Sequence, residues 1–368
     1  MKIFFTLLIT CVLGLNSLIA QNKSETDRER DGLRGAIKKV ETYLVDFLPQ
    51  GDVIVEQKRP WVINSYNVKG NRSEQIVHLQ DGNVHTDVYI YDAEGRNVEC
   101  RTYSNATDKT LDKYQKYVHR FDDKSNMIER IVTEFDGSST ARFVYKYDAK
   151  GNKIEYRNYY YTGALGGKTV YTYNEDGEVT SQTLYQGEDS LSGKSMFLYD
   201  KKQKTEQTII YQGETLRYKI LFSMDGKGRI VQQETLEFNA VPNQWTSHAP
   251  EPGKVVFIYD DERKTKEEIK FNKNDFMERA DLYTYDEKDN ETERVWYESG
   301  GLFDEIMQSK DKTLAAQKKL RGIFKGKITY RYEYDAQGNW TKKTRLYQSQ
   351  ENEQLRPQSA EYRIISYY

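Results

Sequence analysis

The chain has 368 residues, of which 30% are charged and 13% are aromatic, with 30 tyrosines. Its 55 basic and 57 acidic residues give a formal net charge of −2, which excludes the strongly basic surface of a nucleic-acid-binding protein. The aromatic content excludes a disordered chain, because disordered segments are poor in aromatic residues. We therefore expect a folded protein with a sizeable core and no nucleic-acid partner.

The first twenty residues have the three regions of a secretory signal peptide. Lys2 precedes an apolar run over residues 3–15, and the small residue Ala20 marks the cleavage site. The run is shorter than the roughly 20 apolar residues of a membrane-spanning helix, and no later run is longer. We predict a signal peptide over 1–20 and an exported mature chain that is periplasmic, at the cell surface or secreted. We expect no transmembrane segment after signal cleavage.

The chain has two cysteines, Cys11 and Cys100. Cys11 lies within the predicted signal peptide, so the mature chain keeps one thiol and has no partner for an intramolecular disulfide. No charged or metal-binding motif surrounds Cys100, which indicates a structural residue and not a reactive one.

The mature chain divides into a charged lead-in and one long array. Residues 21–36 are rich in charged side chains, and we expect this segment to be frayed. A strand-like pattern begins with residues 37–47. We therefore predict a single domain over 37–368.

From residue 64 onward the chain repeats one phrase, in which an aromatic residue stands before Asp or Asn and a turn sequence follows. Most intervals between copies are 25 or 26 residues, which is typical of a repeat architecture. Ten copies begin at residues 64, 89, 119, 145, 171, 197, 222, 257, 283 and 332.

One copy, FVYKYDAKGNKIEYR over residues 143–157, illustrates the local structure that we predict for each unit. Its aromatic residues alternate with other residues, which places them on one face of a strand. Asp148 to Gly151 fits a type I turn closed by a glycine bulge. From Lys153 onward, apolar or aromatic residues again alternate with polar residues, which indicates a second strand. We therefore predict that each unit is a β-hairpin. A lone hairpin is marginally stable in water, so the units must pair edge to edge.

These copies resemble the YD repeats of the Rhs (rearrangement hot spot) family, whose unit is Tyr-x-Tyr-Asp-x-x-Gly-Asn/Arg followed by a second strand. The match is best at 89–99, 145–155 and 332–342, and the turn glycine is missing at 197–207 and 257–267. The resemblance implies a sheet that winds into a spiral, in some family members a shell around a toxin. This chain is far shorter than the shell-forming members and lacks their Asp-Pro-x-Gly motif. It is therefore more similar to small exported YD-repeat proteins of uncharacterised function in the bacterial cell envelope.

The predicted fold is all-β, with about ten antiparallel hairpin repeats in a continuous twisted or spiralling sheet. Two long intervals interrupt it. The first, 301–322, predicts a helical insertion that packs on the sheet or covers a strand edge. The second, 237–254, is a proline-containing loop with Trp245 and His248, which we name as candidate ligand-binding residues. Alternatively, Trp245 packs back onto the sheet.

The segment VHLQDGNVHTD at 77–87 is the only candidate for a metal site. A two-residue turn at Asp81-Gly82 would place His78 opposite His85, with Asp87 on the same face, and such ligands suit zinc or iron. A polar sheet face explains the same residues, and a shift of one residue would separate the histidines. We therefore expect no metal and no cofactor.

No sequence motif of a known catalytic type is present: there is no GxSxG, HExxH or phosphate-binding glycine loop. We expect no catalytic residues and interpret the chain as a non-enzymatic exported scaffold or interaction protein with a protein or glycan partner at the cell surface. The alternative is a carbohydrate-binding protein that stacks sugars on tyrosines and tryptophans, and an enzyme acting on glycans is a distant third. The tryptophans are Trp61, Trp245, Trp296 and Trp340.

Overall fold

The computed structural model describes residues 26–50, 53–104, 114–134, 136–239, 250–298 and 323–368. They form one short helix, α1 (Asp27–Arg30), and 22 strands. The strands are β1 Ile37–Gln50, β2 Val53–Tyr66, β3 Arg72–His78, β4 Val84–Tyr91, β5 Asn97–Ser104, β6 Tyr114–Phe121, β7 Met127–Thr133, β8 Ser139–Tyr147, β9 Lys153–Tyr160, β10 Leu165–Tyr173, β11 Val179–Gln186, β12 Ser190–Asp200, β13 Thr205–Gln212, β14 Thr215–Met224, β15 Ile230–Glu237, β16 Gly253–Asp260, β17 Thr265–Asn272, β18 Met277–Tyr285, β19 Glu291–Glu298, β20 Ile323–Tyr334, β21 Trp340–Ser349 and β22 Arg356–Tyr367.

All 22 strands belong to one antiparallel sheet. Each strand pairs with the next one along the chain. The last strand, β22, also pairs with the first, β1, between Ile37↔Tyr367 and Asp46↔Ser359. The sheet is therefore a closed barrel.

The prediction of an all-β chain is confirmed, but the open or spiralling sheet is wrong. Each repeat encodes a hairpin and its pairing with the next hairpin. Whether the last strand meets the first depends on the twist accumulated over 22 strands, which no single repeat encodes. The helix that we predicted over 301–322 lies outside the described residues, among which α1 is the single helix.

The two rims of the barrel differ. Turns follow the even-numbered strands β2 to β20, and each of the ten copies of the repeated phrase spans one of them. We call this end the turn rim. Strand β1 begins at this rim and strand β22 ends at it. The opposite end, the loop rim, is where the longest connections leave and return, over 105–113, 238–252 and 299–322.

The repeated turn is stabilised by its own aspartate. In the fourth copy, Asp148 Oδ1 accepts hydrogen bonds from the backbone N–H of Lys150 (2.9 Å) and Asn152 (2.8 Å). The side-chain amide of Asn152 donates to Asp148 Oδ2 at 2.9 Å, and this bond is the main reason why the pKa of Asp148 is lowered. Gly151 closes the turn with a φ of 88°, a conformation that favours glycine. The predicted type I turn with a glycine bulge is confirmed here.

In several copies the tyrosine before the turn joins neighbouring hairpins. Tyr147 in β8 donates its hydroxyl hydrogen to the carbonyl oxygen of Met127 at 2.9 Å, at the start of β7. Strands β7 and β8 are connected only at the loop rim, so this bond holds them together at the turn rim. The same bond recurs from Tyr91 to Arg72, from Tyr173 to Lys153, from Tyr199 to Val179 and from Tyr259 to Ile230.

Alternation along the strands gives the barrel two different faces. The tyrosine face carries the tyrosine before each turn and its alternate neighbours, such as Tyr145 and Phe143 in β8. The charged face carries the residues between them. There Glu129 binds Arg120 (2.7 Å) and Arg142 (2.6 Å). Long stretches of strand are half-buried on both faces, as in β3, β16 and β19, so the wall is mostly a single layer.

The first described residues and the C-terminal residue are held at the turn rim. Asp27 of α1 accepts a hydrogen bond from the backbone N–H of Arg72 at 2.7 Å, and Asp31 accepts one from the Tyr66 hydroxyl at 2.5 Å. At the other end of the chain, the backbone N–H of Tyr368 donates to the Ala36 carbonyl at 2.9 Å. The described part of the charged lead-in is therefore not frayed, because the barrel satisfies its hydrogen bonds.

A buried apolar cluster lies under this junction. Its members Leu33, Ile37, Val40 and Tyr66 come from the N-terminal segment, β1 and β2, and Ile365 and Tyr367 of β22 pack against it. Ile37 is fully buried (0% exposed). The cluster therefore stabilises the closure of the barrel.

No helix in the described part of the chain has the length and apolar character needed to cross a membrane.

We predict that Ile37→Ala lowers the free energy of unfolding by about 2–5 kcal/mol, because it leaves a cavity in a fully buried cluster. Chemical denaturation followed by circular dichroism measures the change. The control is Ile364→Ala in β22, where the side chain is 44% exposed and we expect a change within about 0.5 kcal/mol. Equal losses in the two variants would contradict the role of the cluster.

We predict that Tyr147→Phe costs about 0.5–1.5 kcal/mol, because it removes only the hydroxyl that binds the Met127 carbonyl. Tyr161→Phe is the matched control, since Tyr161 is 77% exposed. If both variants melt at the wild-type temperature, the hydroxyl bond does not hold neighbouring hairpins together.

Candidate functional site on the tyrosine face

The two histidines that the sequence offered as candidate metal ligands, His78 and His85, lie on opposite faces of the barrel. The turn after β3 has five residues, Leu79–Asn83, and Gly82 takes a φ of 85°. The register consequently pairs His78 with Val84 and His85 with Val77. The predicted pairing of His78 with His85 is wrong by one residue, and in a sheet that shift moves a side chain to the other face.

Asp87 does share the tyrosine face with His85, but it accepts a hydrogen bond from the Thr102 hydroxyl at 2.6 Å. Among the residues that the structure describes, no group of three or more His, Cys, Asp or Glu side chains is placed to hold a metal ion. The two other candidates, Trp245 and His248, lie outside the described residues.

Cys100 lies half-buried on the tyrosine face, opposite Tyr89. Burial raises the pKa of its thiol to about 11, and the negative charge of Asp87 adds to the shift. The thiol is therefore protonated at neutral pH, which makes it a poor nucleophile.

The strongest candidate for ligand contact on the described surface is an aromatic pair in β19 and β21. Trp296 lies opposite Gly326, and a Cβ at Gly326 would be 2.5 Å from the indole Cζ2 atom. The indole therefore occupies the space that a side chain at position 326 would fill. Tyr347 lies beside it, with the ring centroids 5.9 Å apart and the ring planes inclined by 17°. We call Trp296 and Tyr347, with Gly326 beneath, the aromatic platform.

Two arginines are fixed beside this platform by one buried aspartate. Asp281 is 5% exposed and accepts hydrogen bonds from Arg279 at 2.6 and 2.8 Å and from Arg294 at 2.9 Å. The carboxylate is the main reason why the pKa of Arg279 is raised. The guanidinium carbon of Arg279 stands 5.8 Å from the Trp296 ring centroid, so a planar, charged donor group borders the platform.

Further rings and cations surround the same area. The Arg294 guanidinium carbon is 5.1 Å from the Tyr283 ring centroid, and Lys343 Nζ is 4.6 Å from that of Tyr330. Burial raises the pKa of Tyr283 to about 12, so its hydroxyl remains a neutral hydrogen-bond donor. The area thus combines flat apolar surface with several fixed hydrogen-bonding groups.

The other tryptophans are placed differently. Trp340 is covered by the Arg363 guanidinium, whose carbon is 3.4 Å from the ring centroid. Trp61 in β2 is 38% exposed. Sequence reasoning named Trp296 only as one of four tryptophans. The signal that distinguishes it is Gly326, a glycine within a strand, which often marks close approach of another group.

A separate cavity of about 260 Å³ lies at the turn rim, between the turns that follow β10, β12 and β14. Its lining includes Glu178, Glu206 and Tyr199. Glu178 is bound by Lys201 (3.2 Å) and by the Asn174 side chain (2.7 Å). Burial raises the pKa of Glu206, and the negative charge of Glu178 raises it further.

Comparison with known proteins gives no family assignment. No protein-family model matches the chain, and no curated protein does. Among solved structures, it is similar to a porin-like protein from Bacteroides uniformis, with 11% identity over 90% of this chain and 96% of the other and a TM-score of 0.29. A porin-like protein from Bacteroides vulgatus matches with 11% identity over 90% and 98% of the two chains and a TM-score of 0.19. The TcdB2-TccC3-Cdc42 structure matches with 10% identity over 94% of this chain and 24% of that one, at a TM-score of 0.22.

At these TM-scores the likenesses carry no argument about function. The closed barrel contradicts the open spiral that the resemblance to the YD-repeat family implied. The assignment is therefore wrong, although the hairpin turns themselves form as the phrase predicts.

We predict that Glu206→Gln raises the melting temperature at pH 8 and leaves it unchanged below pH 4. The raised pKa means that the folded protein holds this proton more tightly than the unfolded chain. Ionisation therefore destabilises the fold as the pH rises through the folded-state pKa, and glutamine removes that ionisation. Differential scanning calorimetry across this pH range measures the effect. The exposed Glu214→Gln serves as control; an equal effect there, or a Glu206→Gln effect that persists below pH 4, contradicts the prediction.

Proposed function

We propose that this chain is a non-enzymatic, exported barrel of the cell envelope that binds carbohydrate on its tyrosine face. The predicted signal peptide over residues 1–20 supports export. The proposed contact site is the aromatic platform together with Arg279, Asp281 and Arg294.

The observation that carries this proposal is the close contact of the Trp296 indole with Gly326, with the ring plane of Tyr347 inclined to the indole by only 17°. A flat aromatic surface stacks against the apolar face of a pyranose ring. The bordering guanidinium groups supply donors in fixed positions for the sugar hydroxyls, and fixed donors reduce the entropy lost on binding. Asp281 holds both arginines, so the donors do not need to be ordered when the ligand arrives.

The distribution of charge favours a barrel that is in contact with water on both faces. A barrel embedded in lipid has an outward apolar band about 25 Å tall. Here Glu129 and Arg142 lie in mid-strand on the charged face, and Arg130 and Asp281 lie in mid-strand on the tyrosine face. Charged side chains facing lipid are costly, by about 2–4 kcal/mol for Arg or Lys at the midplane.

A hydrolase is the less favoured alternative. Glu178 and Glu206 share the turn-rim cavity, and glycoside hydrolases commonly use two neighbouring carboxyl groups, one of them an acid with a raised pKa, as found here for Glu206. However, Glu178 is already bound by Lys201 and Asn174, and the cavity lies at the turn rim, where the tight repeated turns leave little variation for substrate recognition. Binding without catalysis is therefore the proposal.

Screening of the purified mature protein on a glycan array, followed by calorimetric titration of the best ligand, tests this function. We predict that Trp296→Ala weakens binding by at least about tenfold, because a central aromatic contact typically contributes about 2 kcal/mol or more. The matched control is Trp61→Ala, which removes a partly exposed tryptophan in β2 and should leave the affinity unchanged.

Absence of saturable glycan binding by the wild-type protein overturns the proposal. So does a Trp296→Ala variant that melts like the wild type and binds with the same affinity. Hydrolysis products detected after incubation with a bound glycan would favour the hydrolase instead.

A further inference from the structure

Arg130 has an unusual position on the tyrosine face. It lies in the middle of β7, opposite His119 of β6 and Phe143 of β8. No carboxylate of the strands β5–β12 lies on this face, and the carboxylate of Asp87 in β4 accepts a hydrogen bond from the Thr102 hydroxyl. The acidic residue next to it in the chain, Glu129, points to the charged face and is bound there by Arg120 and Arg142. The charge of Arg130 is therefore not neutralised by its own surroundings.

Aromatic rings hold the guanidinium in place. Its central carbon is 4.7 Å from the Tyr117 ring centroid on one side and 5.5 Å from the Phe143 ring centroid on the other. Phe143 in turn stacks on Tyr156, with centroids 6.1 Å apart and planes inclined by 11°. Contacts of this kind attract a cation to the ring faces and leave the N–H groups at its edge unused.

The donors of Arg130 are in fact unused within the described residues. No hydrogen bond or ion pair joins the side chain to any part of the chain that the structure describes, and its Nε atom is buried without a partner. A buried donor without an acceptor is unfavourable, because it has lost its hydrogen bonds to water and gained none in return. An arginine on a protein surface usually donates these N–H groups to a carboxylate or to water.

The neighbouring polar groups do not supply a negative charge. The Nδ1 atom of His119 lies 3.0 Å from the Asn97 carbonyl oxygen, and burial lowers the pKa of this imidazole, with the charge of Arg130 as a smaller cause. Burial keeps the thiol of Cys100 protonated. The site therefore consists of one fixed cation among neutral and aromatic side chains.

We propose that Arg130 is the centre of an oxyanion-binding site on the tyrosine face, for a ligand that carries a carboxylate or sulfate group. The planar guanidinium presents parallel N–H groups that match two oxygens of such an anion. The stacked rings of Phe143 and Tyr156 provide apolar surface for the carbon skeleton that bears the anion. The site uses strands β6–β9 and shares no residue with the aromatic platform, so it does not depend on the proposed carbohydrate binding.

Isothermal titration of the mature protein tests the proposal with two probes, sodium sulfate and sodium glucuronate, at constant ionic strength maintained with sodium chloride. Glucose is the uncharged comparison for glucuronate. We expect saturable binding of at least one anion. If the ligand is a sugar that carries a carboxylate, we expect glucuronate to bind and sulfate not to bind. We expect Arg130→Gln to weaken it by about tenfold or more, because a charge-assisted pair contributes about that factor.

The matched control is Arg142→Gln, which removes an arginine from the charged face of the adjacent strand and should bind within about twofold of the wild type. Arg130→Lys keeps the charge but loses the planar fork, and we expect it to bind more weakly than the wild type. This variant also serves as the test if Arg130→Gln does not fold. The proposal is overturned if the wild type binds neither anion, if glucose binds as well as glucuronate and sulfate does not bind, or if the folded Arg130 variants bind like the wild type.

Discussion

The pairing of β1 with β22 is the constraint on which the rest of the structure depends. In an open sheet of this length, the first and last strands would present unpaired N–H and C=O groups along their whole edges, a known route to aggregation. Closure satisfies those groups and removes both edges. Closure also accounts for the buried apolar cluster at the junction of the first and last strands. Ile37, Val40 and Tyr66 pack there against Ile365 and Tyr367 of β22.

Within the closed barrel, many small and similar contacts contribute to the stability of the fold. The turn aspartates accept hydrogen bonds from their own backbone, as Asp148 does, and several tyrosine hydroxyls join a hairpin to the preceding one where no turn connects them, as Tyr147 does. Lysines extend these links from turn to turn: Lys124 Nζ donates to the Ala149 carbonyl at 3.4 Å and Lys150 Nζ to that of Glu175 at 3.5 Å. The repeated phrase is therefore a structural unit, and variation between the copies is where binding can arise.

Two variations on the tyrosine face are of this kind. In β19 and β20 a tryptophan lies opposite a glycine, and the indole occupies the space that a side chain on the glycine would fill. In β7 the guanidinium of Arg130 lies among aromatic rings, with no carboxylate on the neighbouring strands of this face. Both use the same wall of strands, one to present a flat ring and the other to present a fixed positive charge. Their separation by many strands makes them independent sites.

Local sequence predicted the hairpins well, because aspartate, glycine and alternating aromatics act within five to ten residues. It failed at His78 and His85, where Asp81-Gly82 suits both a two-residue and a five-residue turn. The choice between them changes the register by one residue and therefore the face on which His78 lies. It did not predict the aromatic platform as such, since Trp296, Gly326 and Tyr347 come from three strands and meet only through the register of β19, β20 and β21.

By itself, then, the sequence determined that this protein is all-β and built from tyrosine-faced hairpins with aspartate-stabilised turns, since all of those features depend on short-range contacts. Only the tertiary structure decided that the sheet closes, that Arg130 has no carboxylate beside it, and that Trp296 rests on Gly326. The physical reason is common to all three. Strand register and accumulated twist bring together residues that are far apart in the chain, and neither quantity is contained in any single repeat.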